Sequence, residues 1–173
     1  DAQLANAMGD RQFGAGRRGG AALEIGEIRA AAKLQPDQAL MSLDIKNAFG
    51  SVEWKDALRV VTAAVPKLAP LLAIQWQACE LRLWLQDAQG SGWHALTIHG
   101  SLLQGGLDGH PVFCLVIGAV MVSISTHGDI AEQWHAVKVW VYVDDILFQC
   151  PQNMVAALIS VVISSSAAYS MVL

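Results

Sequence analysis

Three aspartates sit in surroundings that give them chemical meaning. Asp44 closes the apolar run Met41-Ser42-Leu43, and Asp144 and Asp145 lie side by side between residues 139–143 and 146–148, both rich in β-formers. A carboxylate in such apolar company is costly to bury unless it is paired or binds a cation. Two adjacent carboxylates repel, and a divalent ion relieves that repulsion. Hard oxygen donors of this kind suit Mg²⁺ or Mn²⁺. An acidic pair on one loop with a third carboxylate from another strand makes a natural two-metal phosphoryl-transfer site. The competing reading is an Asp-Asp turn chosen for backbone reasons, since Asp is common at turns.

The elements that must position these residues follow from periodicity. Residues 39–45 form a short apolar run that reads as a buried strand ending near Asp44. Residues 137–143 and 146–148 flank the acidic pair as a β-hairpin with Asp144-Asp145 at its tip. Residues 12–20 (QFGAGRRGG) read as a Gly-rich loop, and 21–34 show helical spacing with Glu24, Glu27 and Arg29 on the wet side. A helix over 51–64 is expected, with Ser51 as N-cap and Glu53 in its first turn. A second helical stretch covers 71–83. Weak alternation around Gln89-Gly90-Ser91-Gly92 predicts a hairpin over 83–98. Residues 102–111 read as a Gly-rich loop, 112–125 as an apolar helix and 154–165 as another helix. The mixture is α+β without regular βαβ alternation.

Composition points elsewhere. The chain has 173 residues, 54% hydrophobic and 15% charged, with 11 Lys+Arg against 15 Asp+Glu. That length suits one domain with a sizeable core. The low charge and mean hydropathy of +0.39 exclude a disordered, solvating chain. A pI near 5.6 argues against a broad basic face for nucleic acid. Cys79, Cys114 and Cys150 form no C-x-x-C pair, so three reduced, mostly buried thiols are expected rather than a disulfide framework or a zinc site. The histidines His94, His99, His110, His127 and His135 form no ligand cluster and read as structural or surface residues. No signal peptide is visible, and both ends look cut from a longer protein. Residues 154–173 are 20 uncharged residues, long enough to cross a bilayer. Ser164-Ser165-Ser166, Ser170 and the lack of flanking Lys or Arg favour a buried helix instead.

The residues around the aspartates reverse the compositional argument. Tyr142-Val143-Asp144-Asp145 resembles the Y-x-D-D box of reverse transcriptases. The run from Leu43 through Asp44, Ile45, Lys46, Asn47 and Ala48 to Phe49 resembles their first catalytic motif. Leu103-Gln104-Gly105-Gly106, followed by Pro111-Val112-Phe113, resembles the loop and helix between those two. Residues 12–20 resemble an upstream Q-x-G-F-x-x-G-R-S segment. The four boxes stand in the family's order across residues 12–148, with spacing like that of retrotransposons lacking long terminal repeats.

This resemblance implies an α+β right-hand polymerase palm, an antiparallel sheet backed by helices, with partial fingers over 1–38 and a truncated palm over 39–173. It implies RNA-directed addition of deoxynucleotides to a primer 3′-OH, with RNA template, DNA primer and dNTPs as partners. Asp44 and Asp144, with the Ile45 carbonyl, would hold two Mg²⁺ (or Mn²⁺) ions, and Asp145 would be a third, looser carboxylate. Asn47, Ala48, Phe49, Gln104 and Gly105 would meet the nucleotide, with Phe49 excluding ribonucleotides at the sugar 2′ carbon. Arg17 and Arg18 would contact phosphates, and Tyr142 would pack near the primer terminus. An intracellular setting, nucleus or cytoplasm, would follow.

The chain departs from the family in several places. One residue looks inserted near Asp108-Gly109-His110. Gly50 stands where relatives commonly carry Asp, and Gly19 and Gly20 follow the arginines where Ser is usual. The later palm motif, primer grip and thumb are absent. A fragment so shortened is expected to be nearly inactive alone. The alternatives are a catalytically silent retroelement remnant and, further off, a small membrane protein.

Overall fold

The computed structural model describes residues 10–78, 81–98, 100–102, 104–106 and 108–173. Strand β1 (Ala39–Leu43) pairs antiparallel with β5 (Asp145–Cys150), which pairs antiparallel with β4 (Lys138–Tyr142). The register sets Leu43 opposite Ile146 and Tyr142 opposite Asp145. The end of β1 therefore arrives beside the β4–β5 turn. Residues 11–13 extend the sheet past β4. Gln12 makes a parallel bridge with Val141, the Phe13 amide donates to the Val141 carbonyl at 2.7 Å, and the Val141 amide donates to Arg11 at 3.0 Å.

Successive strand residues face opposite sides of the sheet, and here both sides are covered. Val139, Val141, Ile146 and Phe148 join the main core, whereas Trp140 and Leu147 meet Phe13, Ile28 and Ala31 on the other face. The second face is closed by α1 (Gly20–Leu34). The main core is centred on α5 (Gly109–Ser125), whose Phe113, Cys114 and Val116 are fully buried. Helices α3 (Trp54–Ala64) and α6 (Val155–Ala167) pack on α5. Apolar burial on this scale is the dominant stabilising term of such a fold. A short α2 (Ala48–Ser51), α4 (Ala69–Ala78) and the hairpin of β2 (Leu81–Gln86) with β3 (Trp93–Ile98) complete the order.

The expected α+β architecture and the main elements agree with the structure, with local corrections. Ser51 does not cap a helix; it ends α2, and its hydroxyl donates to the Ala48 carbonyl at 2.8 Å. Glu53 sits at the N-cap of α3 and Asp56 takes the first turn. The second helical stretch ends at Ala78, and residues 81–83 belong to β2. Helix α5 starts at Gly109, inside the expected loop; Pro111 falls in its first turn, where a missing N–H is harmless.

The uncharged run 154–173 is not one helix. It ends as α6 at Ala167, turns through Ser170 at φ 61°, and bridges back from Val172 to Lys46. Among the described residues no helix is long and apolar enough to cross a membrane. Cys114 and Cys150 are free and buried as expected; Cys79 and His99 lie outside the described residues.

Candidate active site

The sheet register brings Asp44 and Asp144 to one cavity of about 650 Å³. Asp44 lies just past the end of β1 and is exposed, and Asp144 is half-buried on the β4–β5 turn. Ile45, Lys46, Asn47, Ala48, Phe49 and Gln104 line the same cavity. The burial argument made from the sequence thus fails for Asp44 and Asp145, which are both exposed. Their apolar neighbours point into the core while the acids sit at strand ends in solvent.

The wall carrying residues 45–50 is shaped by two backbone features. Asn47 adopts a left-handed φ of 51° just before α2, a conformation Asn tolerates better than most residues. Gly50 leaves room for the folded-back Asn47 amide; a Cβ there would collide with it.

The floor is aromatic. Phe49 stacks on the fully buried Phe113 of α5, with centroids 4.5 Å apart. On the far rim the Trp54 indole donates to the Ser101 carbonyl at 2.6 Å, and the Trp54 amide donates to Gly100. Trp54 also stacks on Trp76, whose indole donates to Asp108 at 2.7 Å. Asp108 thus holds Trp76, and the His110 ring meets the Gly14 carbonyl at 3.2 Å.

Asp145 goes elsewhere. Strand alternation turns it to the α1 face, where it lines a separate depression with Glu24, Ser42 and Tyr142. Burial, then the Asp145 charge, then Glu27 raise the Glu24 carboxyl above its ordinary value. Beneath Asp144, burial pushes the Cys114 thiol up to about 12, with the Asp144 charge adding to it. That thiol stays protonated and inert.

The other expected contacts are spread out. Gly105 lies in an exposed turn at φ 87° and does not line the cavity. Arg17 lies over the Phe13 ring, 4.6 Å from its centroid, and is tied to Asp10, while Arg18 is exposed. Sequence reasoning assigned no role to Lys46, Gln12, Gly14 or Val143. Lys46 follows directly from its place in the first box. Gln12 and Gly14 carried a signal in the upstream box, but not their partner.

Asp44, Asp144 and the Ile45 segment offer hard oxygen donors to one open cavity, a set that fits a hard divalent cation. Among the described residues no group of three or more His, Cys, Asp or Glu side chains is gathered for a metal.

No family model and no curated protein sequence matches the chain. Among solved structures it is similar to apo telomerase from Candida tropicalis, truncated from its C-terminal domain. The TM-score is 0.61 at 14% identity, and the match covers 98% of this chain and 36% of that one. At that identity the likeness concerns the fold alone, which is distantly reverse-transcriptase-like. It spans about a third of the length of that neighbour.

Proposed function

We propose that the chain is the palm of an RNA-directed DNA polymerase, with residues 1–38 contributing part of the fingers. The observation that carries this reading is the convergence of Asp44 and Asp144 on one cavity lined by Phe49, which stacks on Phe113 behind it, in a reverse-transcriptase-like fold. The order and spacing of the four sequence boxes favour a retrotransposon without long terminal repeats as the source.

Asp44, Asp144 and the Ile45 carbonyl would hold Mg²⁺ or Mn²⁺, and Asp145 would act from outside the cavity. Held there, such ions would supply a lower pKa for a primer 3′-hydroxyl and charge neutralisation for the leaving pyrophosphate. The protein's own share is positioning and electrostatics. Phe49, fixed by its stack on Phe113, presents a rigid face to the sugar of a dNTP. Lys46 places a cation beside the two carboxylates for the triphosphate. Asn47, Ala48 and Gln104 border the nucleotide, with Gly105 in the turn beside them outside the cavity, and Arg17, Arg18 and Tyr142 meet template or primer. RNA template, DNA primer and the thumb and fingers of a longer polypeptide are the partners.

The test is primer extension on an RNA template by the chain joined to thumb and fingers segments. Extension is expected only with a divalent ion, and Asp144→Asn is expected to lower its rate roughly a thousandfold. Extension that survives the substitution overturns the assignment. One observation favours a second reading, a silent remnant: Asp145 lies outside the cavity. A restored chain that binds Mn²⁺ at Asp44 and Asp144 yet never extends a primer would establish the remnant.

A further inference from the structure

Asp144 sits on a turn that its own backbone holds poorly. Tyr142 pairs with Asp145, which leaves Val143 and Asp144 as a two-residue hairpin turn. Val143, at the first central position, has φ 61°. Hairpin turns of this kind ask for Gly there, and a β-branched residue at positive φ is an outlier. Something outside the turn must hold it.

The loop at residues 11–14 meets that need. A Cβ at Gly14 would lie 2.5 Å from Val143 Cγ2 and 2.6 Å from the Val143 nitrogen, so the loop backbone lies directly against the turn. A donor covered in this way needs an acceptor. Gln12 Oε1 supplies it, accepting from the Val143 amide at 3.0 Å and from the Gly14 amide at 2.8 Å. One oxygen therefore ties loop to turn. The residue is only 3% exposed, and its Nε2 has no partner among the described residues, so the amide's bonding lies on its oxygen side. The backbone on both sides of Gln12 is locked to Val141, and His110 holds the Gly14 carbonyl from α5.

We infer that Gln12 is a positioning residue for Asp144: its amide oxygen holds the strained Val143–Asp144 turn in the conformation that places Asp144 in the cavity it shares with Asp44. The inference rests on the reading of that cavity as a divalent-metal site. Gln12 does not line that cavity, so it acts through the turn.

The test uses the 173-residue chain, amide exchange by NMR, Mn²⁺ titration by EPR, and a circular-dichroism melt. Gln12→Met keeps the length of the side chain and removes the acceptor. The Val143 and Gly14 amides are expected to lose protection while β5 keeps its own. Mn²⁺ affinity is expected to fall about tenfold, as for other outer-shell supports of metal ligands. Adding Val143→Gly relieves the strain and is expected to restore most of that affinity, a rescue that a merely structural Gln12 would not show. Should Gln12→Met unfold the chain, Gln12→Glu, which keeps an acceptor oxygen, must retain protection at both amides. Amides that stay protected in Gln12→Met, or Mn²⁺ affinity that does not change, overturn the inference. If Asp144→Asn binds Mn²⁺ as tightly as the native chain, the metal-site reading falls and the positioning role with it. The exchange data then still decide whether the clamp itself exists.

Discussion

Asp144 and Asp145 share a peptide bond and little else. Asp144 is half-buried near Cys114 and shares a cavity with Asp44. Asp145 is exposed on the opposite face, beside Glu24 and Tyr142 of an unrelated depression. Alternation along β5 sends Asp145 to one face, while the Val143–Asp144 turn delivers Asp144 to the other side. Identical side chains one residue apart thus receive different electrostatic partners, and a shared motif letter does not make them equivalent.

The largest expected difference is in metal binding. Asp144→Asn should weaken Mn²⁺ binding by roughly a hundredfold or more, whereas Asp145→Asn should change it only about threefold, since a charge outside the cavity acts through solvent. Isothermal titration checks both, and equal losses would erase the distinction. The aromatic stack behind the cavity comes next. Phe113→Ala removes the support of Phe49 and should cost about 3–5 kcal/mol in urea unfolding. Asp145's depression includes neither Phe49 nor Phe113 and should keep its contacts. Gly14→Ala puts a methyl into Val143 and should cost about 1–3 kcal/mol, with Mn²⁺ affinity falling in parallel.

The smallest effect belongs to Asp145's side. The Glu24 carboxyl titrates above its ordinary 4.5 in the folded chain, through burial and then through Asp145. The folded state therefore holds that proton more tightly than the unfolded state. Stability is full below 4.5 and declines as pH rises through the folded value. Glu24→Gln should flatten that decline and stabilise the neutral chain by about 0.3 kcal/mol, a small figure because the site is partly solvated. Melts between pH 4 and 7 test the sign.

Much of this arrangement is legible in the sequence because it is periodic. Helix α1, strand β1 and the β4–β5 hairpin follow from apolar spacing, and the three aspartates stand out against it. What escapes is set by single dihedrals and distant partners. Ser51 looks like a cap, but left-handed Asn47 starts a helix three residues earlier and extended Val52 ends it. The helix over 154–165 is legible, the structure ending it at Ala167; what escapes is the return of Val172 to pair with Lys46. Gln12 hides for the same reason, since its partner amide is 131 residues away. The different fates of Asp144 and Asp145 could have been read from alternation, had β5 been started at Asp145.

That distance has a kinetic meaning. The clamp joins the start of the described chain to a hairpin near its end, so its loop-closure entropy must be met before its bonds form. Contacts of such high sequence separation, outside the α3–α5 centre, belong to the last stage of folding. Mutations at Gln12 or Gly14 should then leave the refolding limb of a chevron almost unmoved and steepen the loss on the unfolding side. The turn that carries Asp144 would be the last part of the sheet to acquire its shape and the first to give it up.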